Sequence, residues 1–169
     1  MTALTQPLRD EHRELLPHIE CIKVVADSVG EIPLTALRQS VDDVYDFLTH
    51  KLIPHAHAED HAMYPAVGRV LGADQATATM RRDHTEVGRL TEELAAIRSQ
   101  MSGRTLEPTE AKALRRVLYG LYAIIKLHFA KEEEIYLPLL DVGMSAHELE
   151  QMFAAMEEAA HEHGAHPAH

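Results

Sequence analysis

A single cysteine, Cys21, stands in 169 residues, which excludes an internal disulfide and fits a reducing cytoplasm. Lysine and arginine are scarce beside the acids, 16 against 27, for a formal net charge of -11. Nucleic-acid binding needs a basic footprint, so that class of partner is not expected. No apolar run approaches membrane-spanning length, and Met1 to Asp10 holds no apolar core of signal-peptide length. A membrane partner is therefore not expected either, and the reading is a soluble, cytoplasmic protein. No segment alternates apolar and polar residues as a half-buried strand does.

What remains is helix, in a chain long enough for one substantial core. Apolar residues at helical spacing, closed by Gly30, Gly72, Gly103 and Gly143, mark four long segments. These run over about Leu8–Val29, Leu34–Leu71, Gln75–Ser102 and Pro108–Leu140, with Asp74 placed to cap the third. Short connections make neighbours antiparallel, so the expected fold is an all-α, up-down-up-down four-helix bundle over 1–143. A fifth helix is expected over 144–163, opened by the capping box Ser145-Ala-His-Glu148. Its Leu149, Met152, Phe153 and Met156 share one face, which either covers the bundle or pairs with a second copy. The expectation for oligomeric state is thus a monomer or a homodimer through this helix. Residues 164–169 read as a frayed tail.

Histidine is abundant, with 13 residues unevenly spread. His55 and Glu59 are followed by Asp60 and Pro65; His128 and Glu132 are followed by Glu133 and Pro138. A lone histidine precedes each copy: His12 in Asp10-Glu11-His12, and His84 in Arg82-Asp83-His84. The lone histidines are 72 positions apart and the paired ones 73. One unit, His … His-x-x-x-Glu, therefore occurs twice, and its best-matching positions are potential ligands rather than packing residues.

Residues four apart on a helix lie about 40° apart around its axis, so His55 with Glu59, and His128 with Glu132, face one way. In a bundle they meet across the interior, joined by His12 and His84. Two ions bridged by Glu59 and Glu132, each held by two histidines, satisfy this set and leave open positions. Nitrogen and carboxylate donors with open positions favour iron or manganese over structural zinc. A lone buried histidine is ordinarily a hydrogen-bonded core residue, but six matched positions in two halves outweigh that reading.

The other histidines compete less well. His57 lies about 200° around the helix from His55, and the repeat places Ala130 and Glu134 opposite His57 and His61. His50, His57 and His61 read as surface residues or supports of the ligands, and His18 faces elsewhere. The tail histidines His161, His163, His166 and His169 have no fixed geometry. Asp60 and Glu133 read as outer-face residues or as acceptors for ligand N–H groups, with direct ligation as the minority reading. Tyr64, Tyr136, Phe129, Met63, Gly88 and Gly120 read as ordinary core and close packing, with cavity lining as the alternative. Pro17 reads as a tolerated kink, Pro54 as a kink that strands the His50 carbonyl, and Pro65 and Pro138 as matched ends or bends.

Over about Leu8–Leu140 the chain resembles the hemerythrin-like, or HHE cation-binding, family. His12, His55 with Glu59, His84, and His128 with Glu132 match its pattern, one element per helix. The resemblance implies two non-haem iron ions, oxo- or hydroxo-bridged when oxidised, that meet dioxygen, nitric oxide or peroxide. Oxygen carriers of the family place a second histidine four positions after the third-helix one, where this chain has Gly88. Their fourth helix has an acid five after its histidine, where Glu133 stands beside the family-type Glu132. The chain resembles more closely bacterial, stand-alone members linked to redox sensing, iron-sulfur repair and the handling of peroxide or nitric oxide. It lacks the cysteine-bearing N-terminal region of the repair proteins. The expected function is stress detoxification at an open di-iron site. The alternatives are an oxygen or nitric oxide sensor, an iron store without turnover, or a metal-free interaction protein docking through helix 5.

Overall fold

The apolar spacing and the punctuating glycines give five helices, and the described residues contain no strand. The computed structural model describes residues 3–101 and 105–164. Helix α1 is Gln6–Ser28 and runs through Pro17. Helix α2 covers 34–71 without a break: Leu34–Phe47, a π-helical turn Leu48–Leu52, Ile53–Ala58, a second π-helical turn Glu59–Met63, and Tyr64–Leu71. A 3-10 turn, Asp74–Thr77, leads into α3, Ala78–Gln100. Helix α4 covers 108–143 as Pro108–Lys131, a π-helical turn Glu132–Tyr136, and Leu137–Gly143, and α5 is Ala146–Gly164. No described helix is long and apolar enough to cross a membrane.

The prolines act differently from the expectation. Each π-helical turn ends two residues before one: Leu52 before Pro54, Met63 before Pro65, Tyr136 before Pro138. A proline has no N–H and its ring presses on the carbonyl four residues back. Widening the preceding turn relieves that clash, so neither α2 nor α4 ends at its proline. Asp74 does not cap α3 either; it opens the 3-10 turn, and Thr77 precedes α3 without a side-chain cap. The Ser145–Glu148 capping box forms as read, with Ser145 N–H donating to Glu148 at 2.8 Å and Glu148 N–H to Ser145 Oγ at 3.3 Å.

Gly30 and Gly72 adopt left-handed φ of 84° and 63°, as a glycine past a helix end does. Gly143 serves another purpose. A Cβ there would clash with Val70 Cγ1, so the ends of α2 and α4 approach too closely for a side chain. Gly103 and the tail beyond Gly164 lie outside the described residues.

Each helix packs on the next, and the ring closes where α4 meets α1. The interior divides into two apolar clusters. One holds Leu15, Leu52, Val87 and Ile125; the other holds Leu8, Ala58, Met80 and Leu137. On every bundle helix the proposed ligand sits between a residue of the first cluster and one of the second. A polar layer thus crosses the bundle between two apolar ones. Helix α5 lies against the middle of α2 and buries Leu149, Met152 and Met156, with Phe153 partly buried. That face is taken up by its own chain, the first of its two readings: it covers the bundle.

Candidate metal centre

His12, His55, Glu59, His128 and Glu132 are buried, and His84 keeps a side-chain exposure of only 10%. The structure brings all six together. Each imidazole uses Nδ1 outward and turns Nε2 inward. His12 Nδ1 donates to Glu133 at 2.8 Å, His55 to Glu11 at 3.0 Å, His84 to Asp60 at 3.1 Å and His128 to Asp83 at 3.0 Å. Such outer acceptors fix the tautomer, leaving the inward nitrogen with a lone pair.

The pattern of acceptors follows the repeat. Glu11 and Asp83 immediately precede His12 and His84, yet serve His55 and His128 in the same half. Asp60 and Glu133 immediately follow Glu59 and Glu132, yet serve His84 and His12 across the halves. Asp60 and Glu133 thus accept from the imidazoles of His84 and His12, which fits the acceptor reading among their three. The roles of Glu11 and Asp83 were missed, although an acid before the lone histidine in both halves was a visible signal.

The inward face consists almost wholly of acceptors. His12 Nε2 lies 3.6 Å from Glu59 and 3.5 Å from Glu132, His55 Nε2 3.0 Å from Glu59, and His84 Nε2 3.3 Å from Glu59. His84 Nε2 and His128 Nε2 stand 2.9 Å apart. His12 Nε2, His55 Nε2, both oxygens of Glu59 and Glu132 Oε2 are buried without a hydrogen-bond partner. Each such atom costs on the order of 1–3 kcal/mol unless something satisfies it. Lone pairs facing carboxylates at these distances call for a cation. Two donors each about 2.1 Å from one ion, at right angles, lie about 3 Å apart, which is the spacing found here.

Two groups have this spacing among the described residues: His12, His55 and Glu59, and Glu59, His84 and His128. Glu59 belongs to both, one oxygen facing His55 and the other facing His84. Glu132 is less symmetric. Its Oε2 faces His12, while its Oε1 accepts from the Tyr64 hydroxyl at 2.6 Å. Tyr64, read from sequence as core, also stands 3.0 Å from His128 Nε2 and 3.5 Å from His84 Nε2. Its counterpart across the repeat is Leu137, so only one group has a phenol beside it.

The electrostatics of the metal-free site follow from this crowding. Burial pulls the imidazoles down, but the surrounding carboxylates outweigh it. His84 is raised to about 9, His55 well above its ordinary value, and His12 upward. Burial pushes Glu59 up, yet the three neighbouring histidines bring its carboxyl well below the usual range. Tyr64 is raised by burial and by the charges of Glu59 and Glu132, so its hydroxyl keeps its proton.

The remaining histidines stay outside. His18, His50, His57 and His61 are exposed; His57 and His61 stack on each other, and His18 stacks on Phe47. His161 is exposed on α5, and the side chains of His163, His166 and His169 lie outside the described residues. Phe129 stacks on His12 with ring centres 4.4 Å apart. With Leu52, Val87 and Ile125 it walls a cavity of about 20 Å³ beside Glu59, His84 and His128.

A model of the hemerythrin HHE cation binding domain matches residues 3–140, nearly all of the four-helix bundle. The chain belongs to that family. No curated protein and no solved structure matches it.

Proposed function

We propose that this cation-binding bundle holds two non-haem iron ions and that they react with hydrogen peroxide, nitric oxide or dioxygen. The observation that supports it is the inward face of unpartnered acceptors with Glu59 shared between two ligand groups. His12, His55 and Glu59 would hold one ion, and Glu59, His84 and His128 the other, with Glu132 Oε2 completing the set. Imidazole and carboxylate donors without thiolate suit iron or manganese. Bound iron supplies the electrons exchanged with the small ligand.

The chain's own residues select and orient that ligand. The cavity of about 20 Å³ admits one molecule of roughly water size and excludes an organic substrate. Its walls, Leu52, Val87, Ile125 and Phe129, are apolar and keep bulk water out. Tyr64 keeps its one O–H on Glu132 beside His84 and His128 and so holds that carboxylate in place at this side of the site. Gly88 contributes no imidazole one turn beyond His84, and a Cβ built there meets nothing within 4 Å. One ion thus keeps a position for exchangeable water or ligand.

The test is peroxide added in large excess to iron-loaded protein. Breakdown of many equivalents per chain is expected, and Gly88→His should slow it. Consumption that stops at about two equivalents would leave a sensor or store. Oxygen bound and returned intact over repeated degassing would make the protein a carrier instead.

A further inference from the structure

The four carboxylates that receive the Nδ1 protons are not equally held. Arg9 pairs with Glu133 at 2.7 Å, and Lys131 pairs with Asp83. Arg81 donates to the backbone carbonyl of Asp60 at 2.9 Å and stands 3.7 Å from its carboxylate. Glu11 has no cation of this kind among the described residues, and its side chain is 50% exposed, against 33%, 32% and 20% for Glu133, Asp60 and Asp83. The cause is a break in the repeat. Arg9 and Arg81 both stand three residues before the lone histidine, but Lys131 is matched in the first half by Ala58. Alanine removes the cation that would fasten the carboxylate at the His55 corner.

That corner opens on a cleft of about 630 Å³ between the start of α1, the middle of α2 and α5. Glu11, Glu14 and Glu157 line it against one lysine, Lys51. His55 is the one residue that lines both this cleft and the small cavity inside the centre. A second cleft, of about 520 Å³, reaches His12 from another side, but Arg9, Arg13 and Lys126 line it against Glu133 alone. Like charge repels and opposite charge concentrates an ion at a mouth, so the two clefts differ in sign for a cation.

We propose that the cleft beneath α5 is the port through which a hydrated divalent cation reaches the centre, with Glu11 as its receiving carboxylate. Glu11 exchanges its hydrogen bond from His55 Nδ1–H for the incoming ion, and the released imidazole, keeping that proton on Nδ1, turns to admit the ion to Nε2. This rests on the proposed metal centre. Among the described residues no other corner offers a half-exposed, cation-free carboxylate bonded to a proposed ligand.

The experiment is stopped-flow uptake of cobalt(II) by the metal-free full chain, followed by the visible bands of the bound ion. Glu11→Gln keeps an acceptor for His55 and drops the charge; Ala160→Trp fills the port. As controls, Glu92→Gln drops one exposed acid of α3 that lines neither cleft, and Ala130→Trp fills the second cleft. Both port variants should slow uptake about tenfold while the ions finally bound stay the same, and both controls should remain within about twofold of wild type. If the tryptophan displaces α5, Glu11→Gln and Glu92→Gln decide alone. Unchanged rates in the port variants, or equal slowing in the controls, overturn the port and leave the centre standing. A wild-type chain that binds no cobalt at either cleft overturns both.

Discussion

Each imidazole of the centre donates Nδ1–H to an outer carboxylate and turns Nε2 toward Glu59 and Glu132, and these carboxylates set how the metal-free protein answers pH. His84 is raised to about 9, and His55 and His12 are raised in the same sense, by carboxylates that outweigh burial. A raised histidine contributes stability that is fully present below its ordinary value near 6.5 and is lost as pH climbs through the folded value. Metal-free protein should therefore weaken between about pH 6.5 and 9, seen as a falling urea midpoint; a flat or rising midpoint would contradict the site. Metal affinity should rise over the same window, because ions displace those protons. Composition of the site is testable by substitution. Glu59→Ala should strip both ions, His84→Ala about one, and His57→Ala neither; comparable loss from His57→Ala would mean the assigned face of α2 is wrong. The six inward residues were legible because ligand spacing repeats in sequence. Tyr64 was not, because it has no counterpart in the second half. Nor were the roles of Glu11 and Asp83, since which imidazole each acid meets is a property of packing between helices.

At the scale of elements, helical periodicity sufficed to place five helices, while the local backbone chemistry around proline did not follow from it. A proline signals a lost donor, but whether the helix breaks, kinks or widens depends on what the following turns can bury. Here Val67 beyond Pro65 and Leu140 beyond Pro138 bury fully, which favours continuing each helix through a π-helical turn. The fate of α5 likewise rested on packing that the sequence left open. Met152 is 4% exposed inside the second cluster, so Met152→Ala should cost about 2–5 kcal/mol in urea unfolding. A cost below about 0.5 kcal/mol would show α5 undocked. Gly143 gives a sharper test of element geometry. Adding one methyl brings it onto Val70 at the crossing of α2 and α4, so Gly143→Ala should destabilise by about 1–3 kcal/mol. Val70→Ala in the same chain should recover much of that loss, and a simple sum of the two losses would mean the helix ends do not meet there.

For the molecule as a whole, the centre is a seam. A layer of buried charge separates two apolar clusters, and all four bundle helices contribute to it. Without metal the seam holds five unpartnered atoms, and both clusters must stay assembled around it. Each of the two groups joins separate helices, so an ion held in it would tie them together: His12 on α1 with His55 and Glu59 on α2, and Glu59 with His84 on α3 and His128 on α4. Because this constellation exists only in the folded chain, metal binding adds directly to folding free energy. Free ion at a thousand times its dissociation constant stabilises by about 4 kcal/mol per site. A chain of this size shifts its melting temperature by roughly 2–4 °C per kcal/mol. Removing the metal with a chelator should therefore lower the melting temperature by roughly 10 °C or more, read by circular dichroism at one pH. The same treatment of Glu59→Ala should move it by little, since that variant lacks the residue common to both groups. Equal melting temperatures for loaded and stripped wild type would mean that the seam is satisfied without ions, and the metal reading of this bundle would fall.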